Sequence, residues 1–176
     1  MKIRTIYLLV ACIFLTACQN PNLRSGKTIK VERVVSGQTI EIADRSAAVP
    51  ILEPIRLLGI SAPDIRQQPW GQQAKTELEH LTLGQEVLLE SDIQEKDKFG
   101  RQLGYVWLGK MLVNEYMVAQ GLALADPDFS NTKYIERLAN AQEKARLMGL
   151  GIWNPEQPMR EAPAQFRSQN LKFSSQ

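Results

Sequence analysis

Apolar and polar residues alternate along the first part of the chain in a pattern typical of β-strands. The alternation runs from Lys27 to Val35, and strand character resumes from Gln38 to Ala43. Because Ser36-Gly37 between them is a turn signal, the two runs predict a β-hairpin. A third run, Ile51 to Ile60, is stopped by Pro63 and predicts a third strand.

The spacing of apolar residues changes from two to about 3.6 after the third strand, which predicts a helix. In chain order, the later predicted elements are a helix from Trp70 that Gly84 ends, β-rich runs at Val87–Glu90 and Leu103–Leu108, and helices at Met111–Gln120 and Tyr134–Met148. Three strands, a helix, two strands and further helices match the order of an OB-fold. The sequence therefore predicts an α+β fold, a five-stranded OB-fold β-barrel with about three helices.

The first residues have the pattern of an export signal rather than of a folded element. Lys2 and Arg4 precede an apolar run, Ile6 to Phe14, that is too short to cross a bilayer of about 30 Å as a helix. The following Leu15-Thr16-Ala17-Cys18 resembles the lipobox of bacterial lipoproteins, in which the cysteine becomes the lipidated N-terminus. Lipidation at Cys18 would anchor the protein in the cell envelope, at the inner or the outer membrane. A plain secretory signal is the alternative.

Composition divides the chain into four segments. We expect a signal peptide at residues 1–17, a polar tether at 18–26, one folded domain at 27–153 and a flexible polar tail at 154–176. The tail is rich in Pro, Gln, Arg and Ser, and a domain of this size can bury one core.

Charge and cysteine content limit the functional classes. The chain has 21 Lys and Arg against 19 Asp and Glu, and removal of residues 1–17 leaves it formally neutral. A strongly basic surface is therefore absent, so contact with a polyanion requires a local cluster of arginines or lysines. Cys12 lies in the predicted signal and Cys18 would carry lipid, so no disulfide is expected.

Arg56 interrupts the apolar third strand. Two-residue alternation places it on one face with Leu58 and Ile60. An arginine buried beside such neighbours needs an anion, and its planar guanidinium fits a phosphate with two hydrogen bonds. The alternative is an exposed strand arginine with an ordinary surface salt bridge.

Several short motifs place this arginine in a wider pattern. The set, in chain order, is Ser36-Gly37-Gln38-Thr39, Arg56-Leu57-Leu58-Gly59-Ile60-Ser61-Ala62-Pro63-Asp64, Asp97-Lys98-Phe99-Gly100-Arg101, Val113-Asn114-Glu115, Gln120-Gly121-Leu122-Ala123 and Gly151-Ile152-Trp153. Together the motifs resemble the staphylococcal nuclease (thermonuclease-like) family over roughly residues 27–153. The resemblance implies an OB-fold enzyme that hydrolyses DNA and RNA with calcium.

The resemblance also implies roles for individual residues. Arg56 and Arg101 correspond to arginines that grip the scissile phosphate, and Asp64 stands where the family has a glutamate proposed as general base. Phe99 replaces a tyrosine and is a candidate for base stacking. At the metal positions Gln38 and Ser61 replace two aspartates, while Ala62 still offers the backbone carbonyl.

These replacements remove two negative charges from the implied calcium site. Because calcium affinity is tuned by charged oxygens, we expect calcium binding at Gln38, Ser61 and Ala62 to be severely weakened, with another divalent metal as an alternative. Asp64 is either a general base or an ion-pair partner of Arg56 and Arg101.

Three functions remain compatible with the sequence. The first is a nuclease with an altered metal site, and the second is a module that binds DNA or RNA through phosphate without cleavage. The third is an envelope protein that uses the barrel to contact an unknown protein.

Overall fold

The computed structural model of the chain describes residues 25–44, 51–127 and 130–173. The predicted signal peptide, Cys18 and most of the predicted tether lie outside the described residues. Within them, no helix is both long enough and apolar enough to span a membrane.

Eight strands and four α-helices are described. The strands are β1 (Lys27–Ser36), β2 (Thr39–Asp44), β3 (Ile51–Leu57), β4 (Ile60–Ser61), β5 (Glu86–Glu90), β6 (Gln102–Leu108), β7 (Met111–Leu112) and β8 (Leu124–Ala125). The helices are α1 (Trp70–Thr82), α2 (Val113–Ala119), α3 (Ile135–Leu147) and α4 (Pro163–Phe173), with a 3₁₀ turn at Gly151–Trp153.

Five strands close into a barrel in the order β3-β2-β1-β5-β6, and parallel pairing of β3 with β6 completes the ring. The other barrel pairs are antiparallel. The predicted five-stranded OB-fold barrel of an α+β protein is confirmed, with four described helices rather than about three.

The barrel interior is filled by alternating apolar residues of the strands, and two helices cover it. Ile40, Ile55 and Val106 from three strands are fully buried. Leu78 of α1 and Met117 of α2 are buried in the same cluster. Such a continuous core holds the strand ends, where the motifs of the sequence lie, in fixed positions.

Two boundaries in the motif region differ from the prediction. The β1–β2 turn is formed by Gly37 and Gln38, since Ser36 pairs with Thr39, so Gln38 is a turn residue and not the first residue of a strand. The third strand ends at Leu57 because Gly59 takes a positive φ of 70°. After this break, β4 pairs with β8 in a separate small sheet.

The segment at 154–176, expected to be a flexible polar tail, contains helix α4 in its described part. The start of this segment is tied to the domain, because Met159 N–H donates to the Ile152 carbonyl at 2.9 Å. The proposed domain end at residue 153 stays a prediction.

Candidate functional site

Arg56 lies near the end of β3, between two other strands of the barrel. It pairs with Thr39 of β2 on one side and Leu103 of β6 on the other. Its guanidinium is mostly buried and donates from Nη2 to the Ile60 carbonyl at 2.8 Å and from Nη1 to the Leu57 carbonyl at 3.3 Å. The fold therefore fixes this cation at the site where the strand breaks, and the alternative of an exposed strand arginine is wrong.

Arg101 is held by the turn that precedes β6. Its Nε and Nη2 atoms both lie 2.7 Å from Asp97 Oδ2. Asp97 Oδ1 accepts the backbone N–H groups of Phe99 and Arg101 at 2.9 and 3.0 Å. Burial alone would raise the pKa of Asp97, but these hydrogen bonds outweigh it and hold the pKa below its usual value. Asp97 is thus a charged residue that orients the turn and the arginine together.

Both arginines line one open cleft with a volume of about 450 Å³. Asp97 and Asp126 lie at its polar edge, and the rest of the lining includes apolar residues of the β3–β4 region. Phe99 is also part of the lining and is 73% exposed. The Arg101 guanidinium lies 5.5 Å from the centre of this ring, so a nucleobase next to a phosphate bound at Arg101 could stack on it.

The residues at the implied metal positions do lie together. Gln38 is held against β3 because its carbonyl accepts the Leu57 N–H at 2.9 Å. Its side-chain Oε1 accepts the Ala62 N–H at 2.6 Å. Ser61 is buried beside it at the end of β4. In the part of the chain that the structure describes, no group of three or more His, Cys, Asp or Glu residues could hold a metal ion.

A residue that sequence reasoning missed, Arg167 of α4, contacts these same positions. Its Nη2 donates to Ser61 Oγ at 2.7 Å and its Nη1 donates to the Ala62 carbonyl at 3.1 Å. Arg167 lies more than 100 residues from both acceptors, in a segment whose composition predicts a flexible tail. No local pattern in the sequence signals this contact.

Asp64 has a different partner from the one expected. Arg66 clamps it with Nε at 2.8 Å from Oδ1 and Nη2 at 3.1 Å from Oδ2. The Gln67 N–H donates to the Asp64 carbonyl at 2.8 Å, and this turn brings Arg66 back onto the carboxylate. The alternative of a direct ion pair of Asp64 with Arg56 and Arg101 is therefore wrong. The hydrogen bond from Arg66 holds the pKa of Asp64 below its ordinary value.

Positive charge is concentrated around the cleft. Burial, together with the positive charges of Arg167 and Arg101, lowers the pKa of Arg56 to about 10, although Asp126 and Asp97 act in the opposite direction. Burial also lowers the pKa of Arg167. Arg56 therefore stays protonated at neutral pH, and a bound anion would relieve the repulsion between it and the neighbouring arginines.

Sequence comparison shows which known proteins this chain is similar to. The model of the family described as staphylococcal nuclease homologue matches residues 54–155. Thermonuclease of Staphylococcus hyicus is 38% identical over 133 residues, which cover 73% of this chain and 76% of the thermonuclease. An uncharacterized endonuclease of Haemophilus influenzae is 31% identical over 179 residues, covering 99% of this chain and 92% of that protein. The chain therefore belongs to the staphylococcal nuclease family.

Proposed function

We propose that this protein is a nuclease that binds a phosphodiester of DNA or RNA in the cleft between Arg56 and Arg101. The observation that carries the proposal is the placement of both arginines, one fixed by backbone carbonyls and one by Asp97, on a single open cleft. Guanidinium groups held in this way bind phosphate without first losing side-chain freedom. The relatives named thermonuclease and endonuclease support the same chemistry.

Asp64 is the proposed proton acceptor for the attacking water. It stands at the position of the family's proposed general base, and only 18% of its side chain is exposed. Because Arg66 lowers its pKa, Asp64 is a weak base while Arg66 is hydrogen-bonded to it. A second candidate function follows from this contact: with Asp64 held by Arg66, the cleft would bind nucleic-acid phosphate without cleaving it.

Calcium does not fit the donor set at the family's metal positions. The Gln38 amide, the Ser61 hydroxyl and the Ala62 carbonyl are neutral oxygens, and each already accepts a hydrogen bond. Calcium takes about six to eight oxygen ligands, and its affinity depends on how many of them are charged.

The proposed location is the bacterial cell envelope, with lipid attached to Cys18. Metabolic labelling with a palmitate analogue tests this proposal. Label should enter the wild type and be absent from Cys18→Ala, and equal labelling of both proteins would refute the anchor.

The function is tested with the full-length protein on single- and double-stranded DNA and RNA, in EDTA or with Ca²⁺, Mg²⁺ or Mn²⁺. Cleavage that Asp64→Ala abolishes would establish the nuclease. Binding without cleavage, lost in Arg56→Ala, would establish the second candidate. Arg33→Ala is the matched control, since Arg33 is a strand arginine that is 61% exposed and pairs with Glu41. Neither cleavage nor phosphate-dependent binding by the wild type would refute both functions.

A further inference from the structure

The C-terminal helix α4 is attached to the loop that carries the candidate base. Gln67 is buried and connects the two segments: its Oε1 accepts the Asp64 N–H at 2.9 Å, and its Nε2 donates to the Glu161 carbonyl at 2.9 Å. The Arg66 guanidinium lies 5.4 Å from the centre of the Phe166 ring. These contacts fix the helix that presents Arg167, so its position at the site does not depend on one side chain alone.

Arg167 points its guanidinium at two oxygens that the family resemblance assigns to metal binding. These are the side-chain oxygen of residue 61 and the carbonyl of residue 62, which accept at 2.7 and 3.1 Å. The two bonds use two of the five N–H donors of a guanidinium. Ser61 and Ala62 directly follow Ile60, which lines the cleft and accepts a hydrogen bond from Arg56, so Arg167 lies next to the cleft. A cation with directed donors thus stands where the family would have an ion.

The charges of the three arginines affect one another. Burial, and then the positive charges of Arg167 and Arg101, lower the pKa of Arg56. Burial lowers the pKa of Arg167, the carboxylates of Asp64 and Asp126 act in the opposite direction, and the charge of Arg101 lowers it further. The match to the family model ends at residue 155, so Arg167 comes from a part of the chain beyond the matched region. This C-terminal segment adds a positive charge to a site where Gln38 and Ser61 stand in place of the family's two aspartates.

We propose that Arg167, next to the cleft, replaces the metal ion as a third cation, so that Arg56, Arg101 and Arg167 bind a phosphodiester without a divalent metal. This inference rests on the proposed phosphate-binding function of the cleft. It extends that function by naming the group that replaces the metal and by predicting independence from calcium.

The test measures binding of a fluorescein-labelled single-stranded DNA oligonucleotide to the full-length protein by fluorescence anisotropy. In EDTA we expect Arg167→Gln to weaken binding by about tenfold, the loss typical of one charge-assisted hydrogen-bonded contact. The slope of log Kd against log salt should fall by about 0.7 for one lost phosphate contact on a single strand. Adding Ca²⁺ should change wild-type affinity by less than about twofold, since the proposed site needs no ion.

Arg160→Gln is the matched control. It removes the same charge from the same C-terminal segment, but Arg160 is exposed and lines a different cleft. The control should keep both the affinity and the salt slope of the wild type. If Arg167→Gln behaved like this control, or if Ca²⁺ strengthened wild-type binding more than tenfold, the inference would be overturned while the phosphate-binding function stood. Absence of binding by the wild type in every condition would overturn the function itself, and the inference with it.

Calorimetric titration with Ca²⁺ alone supplies a second readout that does not depend on nucleic acid. The double variant Gln38→Asp with Ser61→Asp restores two acidic side chains, but Arg167 would pair with the new carboxylate at position 61. We therefore expect calcium to bind at least tenfold more tightly once Arg167→Gln is added to the double variant. Equal calcium affinity of the double and triple variants would show that Arg167 does not compete with the ion for the oxygens at positions 61 and 62.

Discussion

At the scale of residues, Arg66 binds Asp64 with two hydrogen bonds in the loop after β4. A carboxylate that accepts two hydrogen bonds from one guanidinium is stabilised in its charged form and is a poor proton acceptor. Arg66 is itself 56% exposed and lies near the ring of Phe166. In the proposed nuclease, opening of this ion pair would free Asp64 to accept a proton.

Replacing Arg66 therefore tests whether the clamp sets the basicity of Asp64. In Arg66→Ala the pKa of Asp64 should rise towards the ordinary value of an aspartate, because the hydrogen bond and charge that lower it are gone. Carbon-13 NMR titration of the carboxyl group measures this pKa directly. Arg33→Ala, far from Asp64 in the sequence and paired with Glu41, should leave the pKa unchanged. An unaltered titration in Arg66→Ala would mean that Arg66 does not set the pKa of Asp64.

The sequence predicted the candidate residues that belong to compact motifs and missed those brought in by tertiary contacts. Arg56 and Arg101 were candidates because each stands at a strand end within a recognisable motif, and the structure places both on one cleft. Arg66 was missed although it is two residues from Asp64, since only the backbone turn shows which carboxylate it meets. Arg167 could not be found, because its acceptors are more than 100 residues away.

At the scale of elements, the end of α2 packs against the 3₁₀ turn after α3 at two glycines, Gly121 and Gly151. Gly121 has φ of 66°, and a Cβ placed on it would lie 2.1 Å from the Leu150 carbonyl oxygen. The Gly121 carbonyl also accepts the Ile152 N–H at 2.9 Å. The close approach of these backbones fixes the two helices next to each other and requires a residue without a side chain.

Gly121→Ala should consequently destabilise the fold more than an alanine at a glycine with space around it. Gly109 has a similar φ of 59° but nothing within 4 Å of the added Cβ, so Gly109→Ala should cost only about 1–2 kcal/mol for the left-handed backbone. Gly121→Ala should cost a further amount of about 1–3 kcal/mol from overpacking. Urea denaturation of both variants measures the difference. Equal losses would show that the backbones can separate without cost.

Elements defined by strong periodicity were predicted well, and short ones were not. Helix α1 starts at Trp70 as expected, and α3 lies within the predicted Tyr134–Met148. The two-residue strands β4 and β8 carry no periodic signal and exist because Gly59 breaks the third strand. Helix α4 has weak amphipathic character, since its residues are mostly polar, and it is positioned by contacts of single residues such as Gln67.

For the whole molecule, the buried carboxylate of Glu90 joins the barrel to the segment that leads into α3. Glu90 of β5 is 2% exposed and accepts hydrogen bonds from Trp107 Nε1 at 2.8 Å, Tyr134 OH at 2.9 Å and Lys133 Nζ at 2.5 Å. Burial alone would raise the pKa of Glu90, but the three donors outweigh it and keep the pKa below its ordinary value. The charged form of Glu90 therefore contributes to the stability of the fold.

This lowered pKa predicts how stability changes with acidity. A carboxyl whose pKa is lower in the folded state stabilises the protein above its unfolded-state pKa, and the contribution is lost as pH falls through the folded-state pKa. Glu90→Gln should lose about 1.5–3 kcal/mol of unfolding free energy at pH 7, the range for hydrogen bonds to a charged group. It should then lose less than the wild type on acidification, so that the two stabilities converge towards pH 3.

Guanidinium chloride denaturation at several pH values between 7 and 3 measures this convergence. Glu86→Gln is the matched control, because Glu86 lies on the same strand β5 and is exposed. The stability of Glu86→Gln should follow the wild-type curve at every pH. That curve includes the loss of unfolding free energy in acid to which Asp64 and Asp97 contribute, because their pKa values are also lowered. If the unfolding free energy of Glu90→Gln instead differed from that of the wild type by the same amount down to pH 3, the charge of Glu90 would not contribute to stability. Glu90 would then stabilise the contact between the barrel and the segment before α3 by packing alone.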